Sequence, residues 1–103
     1  MKQKLEYIRL CLDKGEILCQ LAEEADELGQ AALKLRRTIV GKNPARITRG
    51  EALCKFREEI ADVLLCLDAL EVDIAAQDIE ETKQKKAARW AGELYDKEVQ
   101  DGK

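Results

Sequence analysis

Two short runs of acidic residues are the features of this sequence whose residue types and spacing could do chemistry. The first run reads EEADE at positions 23–27, and the second reads EEIAD at positions 58–62. Acidic residues three positions apart are common on solvated helix surfaces, so either run alone indicates little. Brought together, their carboxylates would repel one another and raise each other's pKa, and no histidine or interleaved basic residue on these turns offsets that repulsion.

A divalent cation bound between the two runs would offset the repulsion. Carboxylate oxygens favour Mg²⁺ or Mn²⁺ over zinc, and Mg²⁺ usually keeps several waters and completes its shell with substrate phosphates. The alternative is that the first run pairs with basic residues of a partner subunit. The two runs together therefore form a candidate metal site, provided that the fold places them side by side.

The first acidic run lies within a long stretch of helical periodicity. Apolar residues in steps of three and four predict an amphipathic helix from Glu16 to about Val40. Its apolar stripe consists of Leu18, Leu21, Ala25, Leu28, Ala32, Leu35 and Ile39. Gly41 and the Asn-Pro pair at positions 43–44 are typical of a helix end.

The second acidic run lies on the next predicted helix. Thr48 and Glu51 have the spacing of a capping box, so this helix is predicted to begin there and to continue to about Ala76. Because only a short connection joins the two acidic helices, we expect them to form a central antiparallel pair.

Two more helices complete the prediction. A short helix occupies the first dozen residues, and a last helix is predicted from a cap formed by Asp78 and Glu81 to about Tyr95, with a frayed polar tail. No β-strand pattern competes with these helices. We therefore expect an all-α, four-helix, bundle-like protein with residues 1–103 in a single domain.

Helical geometry predicts where the acidic side chains point. At about 100° per residue, Glu24 and Glu59 lie roughly 70–80° from the centre of the apolar stripe of their helices. Glu27 and Asp62 lie roughly 130–140° from it in the same sense. Equal offsets of equal sense fall on the same side of an antiparallel pair. We therefore expect these four carboxylates to converge along one rim as metal ligands.

Composition excludes several classes of function. The chain has no histidine, which removes Ser-His-Asp and Cys-His nucleophile pairs, His-rich zinc sites and the Glu-x-x-His di-iron site. No apolar run is long enough to span a membrane. A net charge of −3 argues against general nucleic-acid binding, although the basic segment Arg36–Arg49 keeps it as a minor alternative.

Four cysteines indicate the cellular compartment. They form no CxxC pair, and each lies within an apolar helical pattern, which favours buried free thiols in a reducing environment. We therefore expect a cytoplasmic protein. The four positions are Cys11, Cys19, Cys54 and Cys66.

The motifs EExxE at 23–27 and ExxD at 59–62, on paired helices of a chain of this length, resemble those of the MazG-like all-α nucleoside triphosphate pyrophosphohydrolases. The likeness extends from Glu16 through Leu94 and is closest to small phage- and prophage-type members. It implies that a Mg²⁺ ion, or Mn²⁺, is bound by Glu24, Glu27, Glu59 and Asp62. It also implies that Glu23 orients or deprotonates water, with Glu58 a less favoured candidate.

The same resemblance implies a reaction and a phosphate-binding site. The expected reaction cleaves a (d)NTP between the α and β phosphates into a (d)NMP and pyrophosphate, with Lys85 and Arg89, or the adjacent Lys86, holding phosphates. About thirty residues separate Glu27 from Glu59, which is long for the family, and the basic segment Arg36–Arg49 occupies the excess.

Oligomerisation and a second function complete the sequence predictions. The wide apolar stripe of the third helix exceeds what short neighbours can cover, so we expect a homo-oligomer, and the resemblance likewise implies dimers or tetramers. The alternative function is a non-catalytic helical dimer whose acidic rim binds a protein partner or a regulatory nucleotide. The preferred base and sugar of the substrate stay open at this stage.

Overall fold

The computed structural model describes residues 1–40, 46–70 and 74–102. Over these ranges the chain forms four helices and no strand: α1 Lys2–Cys11, α2 Lys14–Val40, α3 Arg49–Ala69 and α4 Ala76–Asp101. The all-α, four-helix prediction is confirmed. None of the described helices is both long enough and apolar enough to cross a bilayer.

The helices belong to two compact units. Met1–Leu70 contains α1, α2 and α3, and Glu71–Lys103 contains α4. The prediction of a single domain over residues 1–103 stays a prediction. The expected helix end at Gly41 and Asn43-Pro44 lies outside the described residues, as does part of the basic segment Arg36–Arg49.

An aspartate sets the boundary between α1 and α2. The backbone N–H of Glu16 donates to Oδ1 of Asp13 over 2.8 Å, which satisfies one of the free donors at the start of α2. Leu12, just before it, has extended backbone angles. The second helix therefore begins at Lys14, two residues before the predicted start.

The start of α3 agrees with the sequence, but its end does not. The N–H of Glu51 donates to the Thr48 hydroxyl over 3.1 Å, so the predicted cap is confirmed. The helix ends at Ala69 and not near Ala76. Carbonyl oxygens that a longer helix would use itself accept hydrogen bonds from Arg9 of α1, at 2.8 Å for Asp68 and 2.9 Å for Ala69.

Both predicted ends of α4 are corrected. The residue before its first turn is Ala75, in the left-handed region with φ 49°, and no side chain caps the helix there. Asp78 lies inside the first turn, so the predicted cap by Asp78 and Glu81 is wrong. The helix continues past Tyr95 to Asp101, and no glycine or proline lies between Tyr95 and Gly102.

The pair formed by α2 and α3 makes most of the core of the first unit. Apart from Glu59, its buried residues are small or aliphatic, which lets the two helices approach closely. They are Ile17 and Ala31 on α2, Ala52, Cys66 and Ala69 on α3, and Leu5 on α1, together with Leu70. Of the four cysteines, all are free but only Cys66 is buried, so the prediction of four buried thiols is wrong for the other three.

The two helices of the pair run in opposite directions. Lys34, late in α2, shares a pocket with Lys55, early in α3. Glu24, earlier in α2, acts electrostatically on Cys66, late in α3. The predicted antiparallel arrangement of the acidic helices is therefore present, and it brings position 27 of α2 level with position 59 of α3.

Candidate metal centre

Three carboxylates from α2 and α3 meet on one side of the helix pair. Glu24, Glu27 and Glu59 each offer an oxygen, and these oxygens all lie within 4.8 Å of one another. Glu24 and Glu27 share a helix face because they are three residues apart. We call these three residues the carboxylate cluster. A separation of this size lets several of them ligate one cation.

Glu59 is the buried member of the carboxylate cluster. It is 2% exposed, and its Oε1 lies 2.8 Å from Nζ of Lys55. Its Oε2 is buried and has no hydrogen-bond partner within the described part of the chain. Buried carboxylate oxygens are normally paired, since removing their charge from water is costly. An unpaired oxygen at this position is suited to a cation.

Glu24 shows the same half-satisfied arrangement. Its Oε1 accepts a hydrogen bond from Nε2 of Gln20 over 2.7 Å. Its Oε2 is buried and, over the ranges that the structure describes, unpartnered. Two carboxylates of the carboxylate cluster therefore each keep one buried oxygen without a donor.

Lys55 is a functional neighbour that the sequence analysis missed. It lies one helical turn before Glu59, outside the acidic run, and its charge offsets part of the repulsion there. Its ammonium also lies 3.7 Å from Glu58. The hydrogen bond to Glu59 and the charge of that residue raise the pKa of Lys55. The signal was present in the sequence as a lysine and a glutamate four residues apart.

The pKa values of Glu27 and Glu59 are shifted in opposite directions by their neighbours. The negative charge of Glu24, and then that of Glu59, raises the pKa of Glu27 above its ordinary value. The hydrogen bond from Lys55 lowers the pKa of Glu59, and burial partly opposes that effect. Glu27 therefore takes up a proton before Glu59 does as the pH falls.

The structure places the other two predicted acidic site residues differently. Asp62 is exposed and lies outside the 4.8 Å group. Asp62 adds to the raised pKa of Cys66, which is caused mainly by burial of the thiol. Glu23 is exposed, and no metal-ligating group among the described residues includes it. Their roles as ligand and base stay predictions.

The predicted phosphate-binding residues all lie on α4. Lys85, Lys86 and Arg89 are exposed on this helix, and Nε of Arg89 lies 3.8 Å from Oε1 of Glu93. Lys86 lines a mostly apolar surface cavity together with Trp90 and other residues of α4. The contact of these three basic residues with phosphate stays a prediction.

A mixed-charge groove adjoins the carboxylate cluster between α2 and α3. Its volume is about 270 Å³. Its lining consists of Glu27, Gln30, Ala31 and Lys34 on α2 and Lys55 and Glu59 on α3. The groove contains two members of the carboxylate cluster and two lysines. Sequence analysis gave Gln30 no role, because it belongs to neither acidic run.

No protein-family model matches the chain, and no curated protein or solved structure was found to match it.

Proposed function

We propose that this protein is a Mg²⁺-dependent nucleotide pyrophosphohydrolase that cleaves a (d)NTP to a (d)NMP and pyrophosphate. The observation that carries the proposal is the carboxylate cluster, in which Glu59 is buried and keeps one oxygen without a donor among the described residues. The reaction class comes from the resemblance of the two acidic motifs to those of the MazG-like enzymes.

The donor set of the carboxylate cluster fits a hard cation. All three ligands are carboxylates, which suit Mg²⁺ or Mn²⁺, and these ions complete their shell with water and substrate phosphates. In this proposal Glu24, Glu27 and Glu59 hold the cation, and Asp62 joins them from the next turn of α3. When bound, the cation supplies neutralisation of phosphate charge and activation of water.

Other residues of the chain contribute orientation and proton transfer. Lys55 keeps Glu59 ionised, so that the buried ligand is ready to accept a cation. Glu23, next to Glu24 on α2, accepts a proton from the attacking water in this proposal. The resemblance adds Lys85 and Arg89, with Lys86 as the alternative, as contacts to the phosphates.

An activity screen tests the proposed function. The purified chain is incubated with Mg²⁺ or Mn²⁺ and a panel of common and base-modified ribo- and deoxyribonucleoside triphosphates, and pyrophosphate release is measured. We expect turnover of at least one triphosphate and its loss in EDTA. Glu59→Gln keeps the size of the side chain but removes a ligand charge, so its rate should fall by at least about a hundredfold.

A control variant separates the loss of a ligand from a general change in charge. Asp26→Asn removes one negative charge from the same helix but lies outside the carboxylate cluster, so its rate should stay close to that of the wild type. Thermal melting of each variant confirms that it is folded. The proposal fails if no triphosphate is turned over, or if Glu59→Gln is as active as the wild type.

The second candidate function is a non-catalytic helical module that binds a protein partner or a regulatory nucleotide. Large apolar side chains favour it, since Tyr7 and Leu10 on α1 are 67% and 84% exposed. A module of this kind needs no divalent cation. A melting temperature that does not change with Mg²⁺ would favour it over the enzyme.

A further inference from the structure

The mixed-charge groove between α2 and α3 continues the carboxylate cluster toward the end of α2. Glu27 and Glu59 lie at one end, followed on α2 by Gln30 and Lys34 at successive turns of the same helix face. Its volume of about 270 Å³ is just below the range of small-molecule pockets, so it suits a small anion or one group of a larger ligand.

Lys34 and Gln30 are the donors of this groove that are not already used. Lys55 pairs with Glu59, whereas Lys34 makes no ion pair and no hydrogen bond with any described residue. The same holds for the Gln30 amide over the described ranges. Glu59 lies at the opposite end of the groove, and its side chain is almost fully buried. Its Oε2 has no hydrogen-bond partner among the described residues, so a positive charge would be favourable there.

We propose that the groove is an anion subsite that takes part of a polyphosphate chain, with Lys34 and Gln30 as its donors. The inference rests on the proposed function, because Glu27 and Glu59 would repel an anion unless a cation neutralised them. With a cation on the carboxylate cluster, a phosphate group is attracted from one side by that cation and from the other by the Lys34 ammonium. The subsite is built entirely from α2 and α3.

Calorimetry on the full chain tests the subsite. Mg²⁺ alone is titrated first, and then the preformed complex of Mg²⁺ with pyrophosphate is titrated as the probe. We expect Lys34→Met to bind Mg²⁺ as the wild type does but to bind the pyrophosphate complex about tenfold more weakly, because one charge-assisted contact is lost. Lys34→Arg keeps the charge and should recover most of the affinity.

Two further variants make the comparison specific. Lys4→Met on α1 removes the same charge from an exposed position outside the groove and should bind the complex like the wild type. Gln30→Leu should weaken binding of the complex without changing Mg²⁺ binding. Lys34 is exposed, so its replacement should leave the melting temperature unchanged.

Each outcome has one meaning. If Lys34→Met and Gln30→Leu bind the pyrophosphate complex as tightly as the wild type while Mg²⁺ still binds, the subsite is wrong and the proposed metal site stands. If the wild type binds no Mg²⁺ at all, the proposed metal site is wrong, and the subsite that depends on it is wrong as well.

Discussion

The two carboxylate oxygens of Glu59 have different surroundings. One of its oxygens is held by Lys55, and the other is buried without a donor in the described chain. Lys55 thus keeps the carboxylate charged, while its second oxygen lacks a hydrogen-bond donor among the residues described. In the proposed metal site a cation completes it, and we expect the protein to be more stable with the cation bound than without it.

Glu27 provides the test of this electrostatic account at the residue scale. Its pKa is raised in the folded protein by the charges of Glu24 and Glu59. A carboxyl group of this kind favours the folded state below its unfolded pKa, and that contribution is lost as the pH rises through its folded pKa. At neutral pH without a cation, ionised Glu27 therefore destabilises the protein.

We predict that Glu27→Gln raises the melting temperature in EDTA at pH 7 and removes most of the stabilisation that Mg²⁺ gives to the wild type. The difference in EDTA should shrink as the pH falls below the folded pKa of Glu27, where the wild-type carboxyl is itself neutral. Melting curves between pH 4 and pH 8, with and without Mg²⁺, measure both effects.

Asp26→Asn is the matched control for Glu27→Gln, because it removes one charge from α2 outside the carboxylate cluster. It should leave the response to Mg²⁺ unchanged. A Glu27→Gln protein that is stabilised by Mg²⁺ as strongly as the wild type would contradict the metal site.

Arg9 attaches α1 to the carboxyl end of α3. Arg9 of α1 donates from Nε to the carbonyl of Ala69 and from Nη2 to the carbonyl of Asp68. Both oxygens belong to the last turn of α3, where carbonyls lack a partner in the helix and a positive charge is favourable. The guanidinium group therefore caps α3 and fastens α1.

We predict that Arg9→Met lowers the free energy of unfolding by about 1–3 kcal/mol, since hydrogen bonds from a charged group are lost at a helix end. Urea denaturation measures the change. Lys4→Met removes the same charge from an exposed site on α1 and should change stability by less than about 0.5 kcal/mol. Equal stability of Arg9→Met and Lys4→Met would show that the cap contributes nothing.

Helix ends that depend on neighbouring residues were predictable from the sequence. Helix ends that involve residues distant in the sequence, or an unusual backbone conformation, were not. Thr48 and Glu51 form a local cap, and the cap is present. The end of α3 at Ala69 depends on Arg9, which is 60 residues away, so periodicity alone extended the helix too far. The start of α4 depends on the unusual backbone of Ala75, and a capping pattern elsewhere gave the wrong start.

The candidate site shows the same division. Helical offsets and an antiparallel pairing predicted that Glu24, Glu27 and Glu59 meet, but they also predicted Asp62 beside them, and Asp62 lies outside the group. Lys55 was missed because only acidic runs were considered, and an acidic run does not show which basic side chain reaches into it. The groove at Lys34 depends on the space left between two packed helices, which no sequence pattern gives.

At the scale of the whole molecule, the main feature is apolar surface. In the first unit, Leu10 on α1 and Leu64 on α3 are exposed, the latter by 54%. Exposed apolar side chains that gather into one patch are typical of interfaces between proteins. The predicted homo-oligomer would cover part of it, since the stripe of α3 was its basis in the sequence.

We predict that the purified chain sediments as a dimer or tetramer at micromolar concentration. Leu64→Gln should shift the distribution toward the monomer, because burying an amide in an apolar contact is unfavourable. Sedimentation velocity over a range of concentrations measures the shift. A wild-type chain that is monomeric at every concentration would show that the predicted homo-oligomer is wrong.

The bond from Arg9 to the end of α3 also has a consequence for the order in which the chain becomes ordered during synthesis. A ribosome releases α1 first, yet its acceptors at Asp68 and Ala69 appear only 59 and 60 residues later. These two hydrogen bonds of α1 must therefore wait until the carboxyl end of α3 has been made.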